Sequence, residues 1–260
     1  MITDGKPKVL IGFSGSVATL KAPELIASFA EFADIRCICS GKSAVHFIER
    51  SKAYNHKQYE KFEKSGGMDL FLSDDDEWDS WNKVGDPVLH IELRRWADIL
   101  IVAPASANFI AKASSGIADN LLLSVVRAWD FEKPILVAPA MNTMMWDHPV
   151  TQQSIERLAA WGFTIVNPVK KLLACKENGN GALASVETII AATHELLSKS
   201  IQAGNSASPT FLPILKPRRK LIPYGLSWSW YYTGYFCTFG VGILVGLTVA
   251  LITETRLSIH

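Results

Sequence analysis

Cysteine is scarce in this 260-residue chain: Cys37, Cys39, Cys175 and Cys237 are the whole set, and no two form a C-x-x-C pair. Their spacing fits no zinc site, so no metal is expected. Cys37 and Cys39 stand two apart in an apparent strand, share a face, and read as core residues. An excess of one charge is also missing. Lys and Arg total 26 against 25 Asp and Glu, a net charge of +1, which gives no electrostatic footprint for nucleic acid. The opening Met-Ile-Thr-Asp-Gly-Lys-Pro-Lys has no secretory character, so a reducing, cytoplasmic setting is expected. There is no internal repeat of solenoid period and no G-x-G-x-x-G, so neither a repeat architecture nor a bound dinucleotide is indicated.

What is present is a large apolar fraction, 48%, enough for one sizeable core and an appendage. It is unevenly spread. Residues 1–200 read as a globular domain and 201–230 as a linker rich in Ser, Pro and basic residues, including Lys216-Pro217-Arg218-Arg219-Lys220. Residues 231–252 form an uncharged, largely apolar run, followed by a short tail over 253–260. That run is long enough to cross ~30 Å of hydrocarbon as a helix. Trp228, Trp230, Tyr231 and Tyr232 would mark one interface, and the basic cluster before them would keep the globular domain cytosolic. A C-terminal apolar helix outside the fold, anchoring the chain to a membrane, is therefore an expectation.

Within the globular part, continuous apolar runs at 8–13, 34–39, 98–103, 134–138 and 163–166 read as strands. Helical spacing covers 17–32, 43–50, 88–96, 108–114, 120–129, 150–161 and 185–197. Residues 65–86, with the acidic run Asp74-Asp75-Asp76-Glu77, read as a solvated loop; the EF-hand spacing is absent. Strands buried on both faces and alternating with helices predict an α/β fold with a doubly wound parallel sheet, flavodoxin-like or Rossmann-like. Ligands in such folds bind beyond the carboxyl ends of the strands.

Four segments fall at those ends. Gly12-Phe13-Ser14-Gly15-Ser16-Val17 and Ser40-Gly41-Lys42-Ser43 are small or hydroxylic and precede helices. Each suits a phosphate at a helix N-terminus, or simply a tight turn and an N-cap. In Ala103-Pro104-Ala105-Ser106-Ala107-Asn108-Phe109, Ser106 and Asn108 would cap a helix or hydrogen-bond a heterocycle. In Ala138-Pro139-Ala140-Met141-Asn142-Thr143-Met144-Met145-Trp146, a single amide stands among apolar residues. Its NH2 group can fix a carboxylate.

The last two segments carry a resemblance, together with Gly15-Ser16-Val17, the stretch Asp86 to Asp98 with His90, Asp119-Asn120-Leu121-Leu122, Arg127 to Asp130, Leu173-Ala174-Cys175 and Gly179-Asn180-Gly181-Ala182. Over residues 8–198 the chain resembles the homo-oligomeric flavin-containing cysteine decarboxylases. His90 with Cys175 places it near the family's coenzyme A branch. The resemblance implies FMN held by Gly15, Ser16, Val17, Lys42, Ser43, Ser106, Ala107, Asn108, Phe109 and Ala140. It implies decarboxylation of 4′-phospho-N-pantothenoylcysteine to 4′-phosphopantetheine. Flavin would take a hydride from the carbon bearing sulfur, CO2 would leave, and the hydride would return. His90 would be the catalytic base and Cys175 the proton donor of the last step. Asn142 would hold the substrate carboxylate, and Met145, Arg95, Leu172 and Ala174 would shape the substrate pocket. Gly179-Asn180-Gly181 would belong to a flap over the substrate. The family's active site lies between subunits, so a homotrimer is implied. Gly41, Phe109 and Lys176-Glu177 depart from the family's usual residues. Another role known in the family is that of a non-catalytic FMN-binding regulatory protein, and the presence of His90 and Cys175 weighs against it here. A flavin prenyltransferase or peptide-cysteine decarboxylase on the same fold is a third reading, against which the His90–Cys175 combination and the Cys175 segment respectively argue.

Overall fold

The computed structural model describes residues 5–172 and 178–202. Contacts divide the chain into two units, Met1–Arg218 and Arg219–His260, and only the first contains described residues.

β1 (Lys8–Phe13) leads through a 3-10 turn, Val17–Lys21, into α1 (Ala22–Ala30). The single helix expected over 17–32 is thus divided, with Pro23 in the first turn of α1, where its missing N–H has no helical partner to lose. β2 (Asp34–Cys39), α2 (Gly41–Tyr54), α3 (His56–Lys64) and the short β3 (Phe71–Leu72) follow. The stretch expected to be a loop forms α4 (Asp74–Ser80) as well as β3. Next come α5 (Leu89–Trp96), β4 (Ile99–Ala105), α6 (Ala107–Ser114), α7 (Leu121–Arg127) and β5 (Ile135–Pro139). The series ends with α8 (Thr143–Trp146), α9 (Pro149–Ala160), β6 (Thr164–Ile165), β7 (Val169–Leu172), β8 (Asn178–Ala182) and α10 (Val186–Gln202).

Six strands form one parallel sheet in the order β3-β2-β1-β4-β5-β6. This is the doubly wound order with its switch point between β1 and β4. Side-chain alternation along β1 divides the core: Val9, Ile11 and Phe13 pack with α1, α2 and α10, whereas Leu10 packs with α5, α6 and α7. Cys37 and Cys39 share the first face as expected, both buried and unpaired. Burial pushes both thiols well above the usual range. β7 and β8 make a separate antiparallel pair.

Among the described residues no helix is long and apolar enough to cross a membrane. The expected anchor at 231–252 lies outside the described residues and gains no support from them.

Candidate functional site

The loops after β1, β4 and β5 are tied together by hydroxyl groups. Ser14, buried, donates through Oγ to the Pro104 carbonyl at 2.8 Å and accepts from the Ser106 N–H at 2.7 Å. Thr19 Oγ1 donates to the Ser14 carbonyl at 2.8 Å. Ser16 Oγ donates to the Ala140 carbonyl at 3.0 Å and accepts from the Ala18 N–H, capping the 3-10 turn. A Cβ on Gly15 would stand 2.2 Å from Ser43 Oγ, so glycine lets the first turn of α2 close on this loop. Gly41 has φ 77°, a left-handed backbone that glycine adopts at least cost. Ser106 caps α6 through the Phe109 N–H at 3.2 Å. Asn142 caps α8, its Oδ1 accepting from the Met145 N–H at 2.8 Å, so its NH2 is left to address a ligand.

These loops wall a cavity of about 620 Å³ beyond the carboxyl ends of β1, β4 and β5. Gly15, Ser16, Val17, Ser106, Ala107, Asn108, Ala140, Asn142, Met145 and Leu172 all line it. Ten expected site residues thus meet on one concave surface. Lys42 and Ser43 sit in the first turn of α2, behind Gly15, and are not wall residues. The Phe109 side chain is buried in the α5–α7 core layer, and only its N–H turns toward Ser106. Ala174 and Cys175 lie outside the described residues. Sequence reasoning missed Lys21, Tyr54 and Lys171 on the wall, and Ser14 and Thr19 behind it. A hydroxyl immediately after a buried strand was the available signal for Ser14.

The β7–β8 pair closes one side through Lys171, Leu172, Gly181 and Ala182. The Met141 N–H donates to the Gly181 carbonyl at 2.9 Å. Gly181 has φ 127°, and a Cβ there would stand 2.2 Å from the Met141 carbonyl oxygen. Only glycine allows this approach.

His90 and Arg95 lie elsewhere, on α5, and neither lines the cavity. His90 Nδ1 faces Glu77 Oε1 at 2.5 Å. Arg95 donates to Glu92 Oε1 at 2.9 Å and is half exposed. Lys133 donates to the Arg94, Arg95 and Ala97 carbonyls at 3.3, 3.0 and 2.8 Å, which satisfies the open end of α5. Ahead of the helix, the Asn82 and Lys83 N–H groups donate to Asp86, holding its carboxyl below the usual range. Trp78, Trp81, Val84 and Val88 are exposed along this stretch.

A model of the flavoprotein family matches residues 2–198. The chain is 44% identical over 204 residues to phosphopantothenoylcysteine decarboxylase of Oryza sativa subsp. japonica, covering 78% of this chain and 86% of that one. It is 44% identical over 194 residues to the enzyme of that name from Mus musculus, covering 75% and 89%. Among solved structures, a cysteine-to-serine mutant of PPC decarboxylase complexed with pantothenoylaminoethenethiol is similar, at 45% identity and TM-score 0.66, over 75% of this chain and 99% of that one. The FMN binding protein AtHal3 superposes with TM-score 0.64 at 43% identity, over 75% and 98%. The chain belongs to the flavoprotein family, in the branch whose members carry the name phosphopantothenoylcysteine decarboxylase.

Proposed function

We propose that this protein is an FMN-dependent decarboxylase that converts 4′-phospho-N-pantothenoylcysteine to 4′-phosphopantetheine, a step of coenzyme A biosynthesis. The observation that carries the reading is the cavity beyond β1, β4 and β5, with Asn142 on its wall. Its volume lies in the range of cofactor sites, roughly 300–1,000 Å³. Val17, Leu20, Met145 and Leu183 offer apolar wall to a flavin ring, and Lys21 and Lys171 offer cations to a phosphate. FMN, when bound, supplies the electron sink that an ordinary CH2–SH beside a carboxylate lacks. Asn142 holds the substrate carboxylate through its NH2, because its Oδ1 is engaged as a helix cap. His90 takes the thiol proton, and Cys175 returns a proton to carbon at the end.

His90 and Arg95 stand off the cavity wall of their own chain, and exposed aromatic side chains flank α5. Both facts support a homotrimer in which α5 of one subunit completes the cavity of the next. The full-length protein is expected to purify yellow and to release CO2 from the substrate. His90→Asn should retain FMN and lose about 100-fold or more in kcat. A colourless, inactive protein sinks the reading. A yellow protein without turnover points to the non-catalytic FMN-binding role instead.

A further inference from the structure

The acidic run Asp74-Asp75-Asp76-Glu77 forms the first turn of α4, where a helix N-terminus favours negative charge. Asp76 Oδ2 accepts from the Ser73 N–H and Oγ, both at 2.7 Å. Asp74 Oδ1 accepts from the Leu121 N–H at 2.7 Å, tying α4 to the start of α7. Asp75 alone is exposed. The pinned turn presents Glu77 to His90, 2.5 Å from Oε1 to Nδ1, with the two side chains 15% and 25% exposed. Glu77 Oε2 is buried with no hydrogen-bond partner among the described residues.

An ionised carboxylate only accepts hydrogen bonds, so the imidazole proton belongs on Nδ1 and the lone pair on Nε2. The ring cannot turn over without giving up its bond to Glu77. When Nε2 takes a proton, the adjacent anion stabilises the imidazolium. We infer that Glu77 is a positioning residue, which fixes the tautomer and direction of His90 so that Nε2 serves as the base for a substrate thiol. In that step the S–H bond breaks, an Nε2–H bond forms, and the electron pair stays on sulfur. The inference rests on the decarboxylase reading.

The test uses full-length holoprotein labelled with 15N-histidine, with the His90 resonances assigned from their loss in His90→Asn. Wild type should show the Nδ1–H tautomer at His90. Glu77→Ala should shift that pattern toward a mixture and lower kcat per bound FMN by about 10- to 100-fold, with KM within about threefold. The isosteric Glu77→Gln should keep fold and FMN content yet lose about 10-fold in kcat, and Glu77→Asp should recover part of it. Asp75→Asn should match wild type. An unchanged 15N pattern in Glu77→Ala, or kcat within about twofold of wild type, overturns the inference. So does a loss seen only as lower Tm or FMN content. A wild type that shows the expected tautomer but releases no CO2 overturns the activity reading and supports the placement of His90 by Glu77.

Discussion

The loops beyond β1, β4 and β5 and the α4–α5 pair differ in what each contains. The first region is concave, knit by Ser14, Ser16 and Thr19, and built mainly on the loops that follow β1, β4 and β5. The second lies off that wall and bears a histidine–glutamate pair beside exposed tryptophans. One region has the shape of a binding site and no histidine on its wall, and the other holds the histidine proposed as the base away from that wall. Binding surfaces built at the ends of a parallel sheet need only one chain. Reacting groups gathered from different helices can be divided between copies when an oligomer closes the site.

The largest effect should come from separating the two regions onto different subunits. His90→Asn and Asn142→Asp are each expected to be inactive. Co-expressed, they should form mixed oligomers in which some sites join an intact His90 to an intact Asn142. Random mixing in a closed ring gives about a quarter of the wild-type sites. Turnover per FMN in the purified mixture measures this. Activity no higher than either parent would mean that α5 and the cavity of one chain act together, and the division between regions would fail.

Much of the first region was legible in the sequence because it depends on local signals. Apolar runs such as Ile99–Ala103 mark buried strands, and the small or polar residue that follows each run marks the binding edge. The second region was less legible. α4 lacks a buried apolar face, so no helical period shows; its carboxylates are spent on the Ser73 cap and the Leu121 N–H. α3 buries only Phe62 in a strongly polar sequence, so few apolar residues mark it. β7 is exposed throughout and β8 is glycine-rich, so the two read as loop until their pairing is seen. The bond between Glu77 and His90 spans thirteen positions and depends on how two helices pack, which spacing alone does not reveal. Phe109 sits next to the cap residue Ser106, yet helical geometry turns its side chain into the core.

An intermediate effect is expected from Gly181→Ala, which strikes the first region only. The left-handed backbone and the approach to the Met141 carbonyl together should cost about 2–3 kcal/mol. FMN should dissociate more readily and Tm should fall, while the 15N signature of His90 stays as in wild type. A variant that keeps full FMN content would mean that the β7–β8 pair plays no part in holding the cavity closed.

The smallest effect should come from Lys133→Met, which strikes the second region only. The ammonium serves three carbonyls at the end of α5, and losing these bonds should cost about 1–3 kcal/mol near neutral pH. The pH dependence sharpens the attribution. Desolvation lowers the Lys133 pKa in the folded chain, so the unfolded chain holds that proton more tightly. Wild-type stability therefore rises relative to the variant as pH climbs from the folded pKa toward about 10.4, the unfolded value. Denaturant titrations at several pH values read this difference. A gap that stays constant, or narrows, over that window would show that Lys133 is not desolvated where α5 ends, and that the helix bearing His90 is held by its packing alone. FMN content should be unaffected at every pH at which the variant is folded, because no atom of Lys133 reaches the cavity wall.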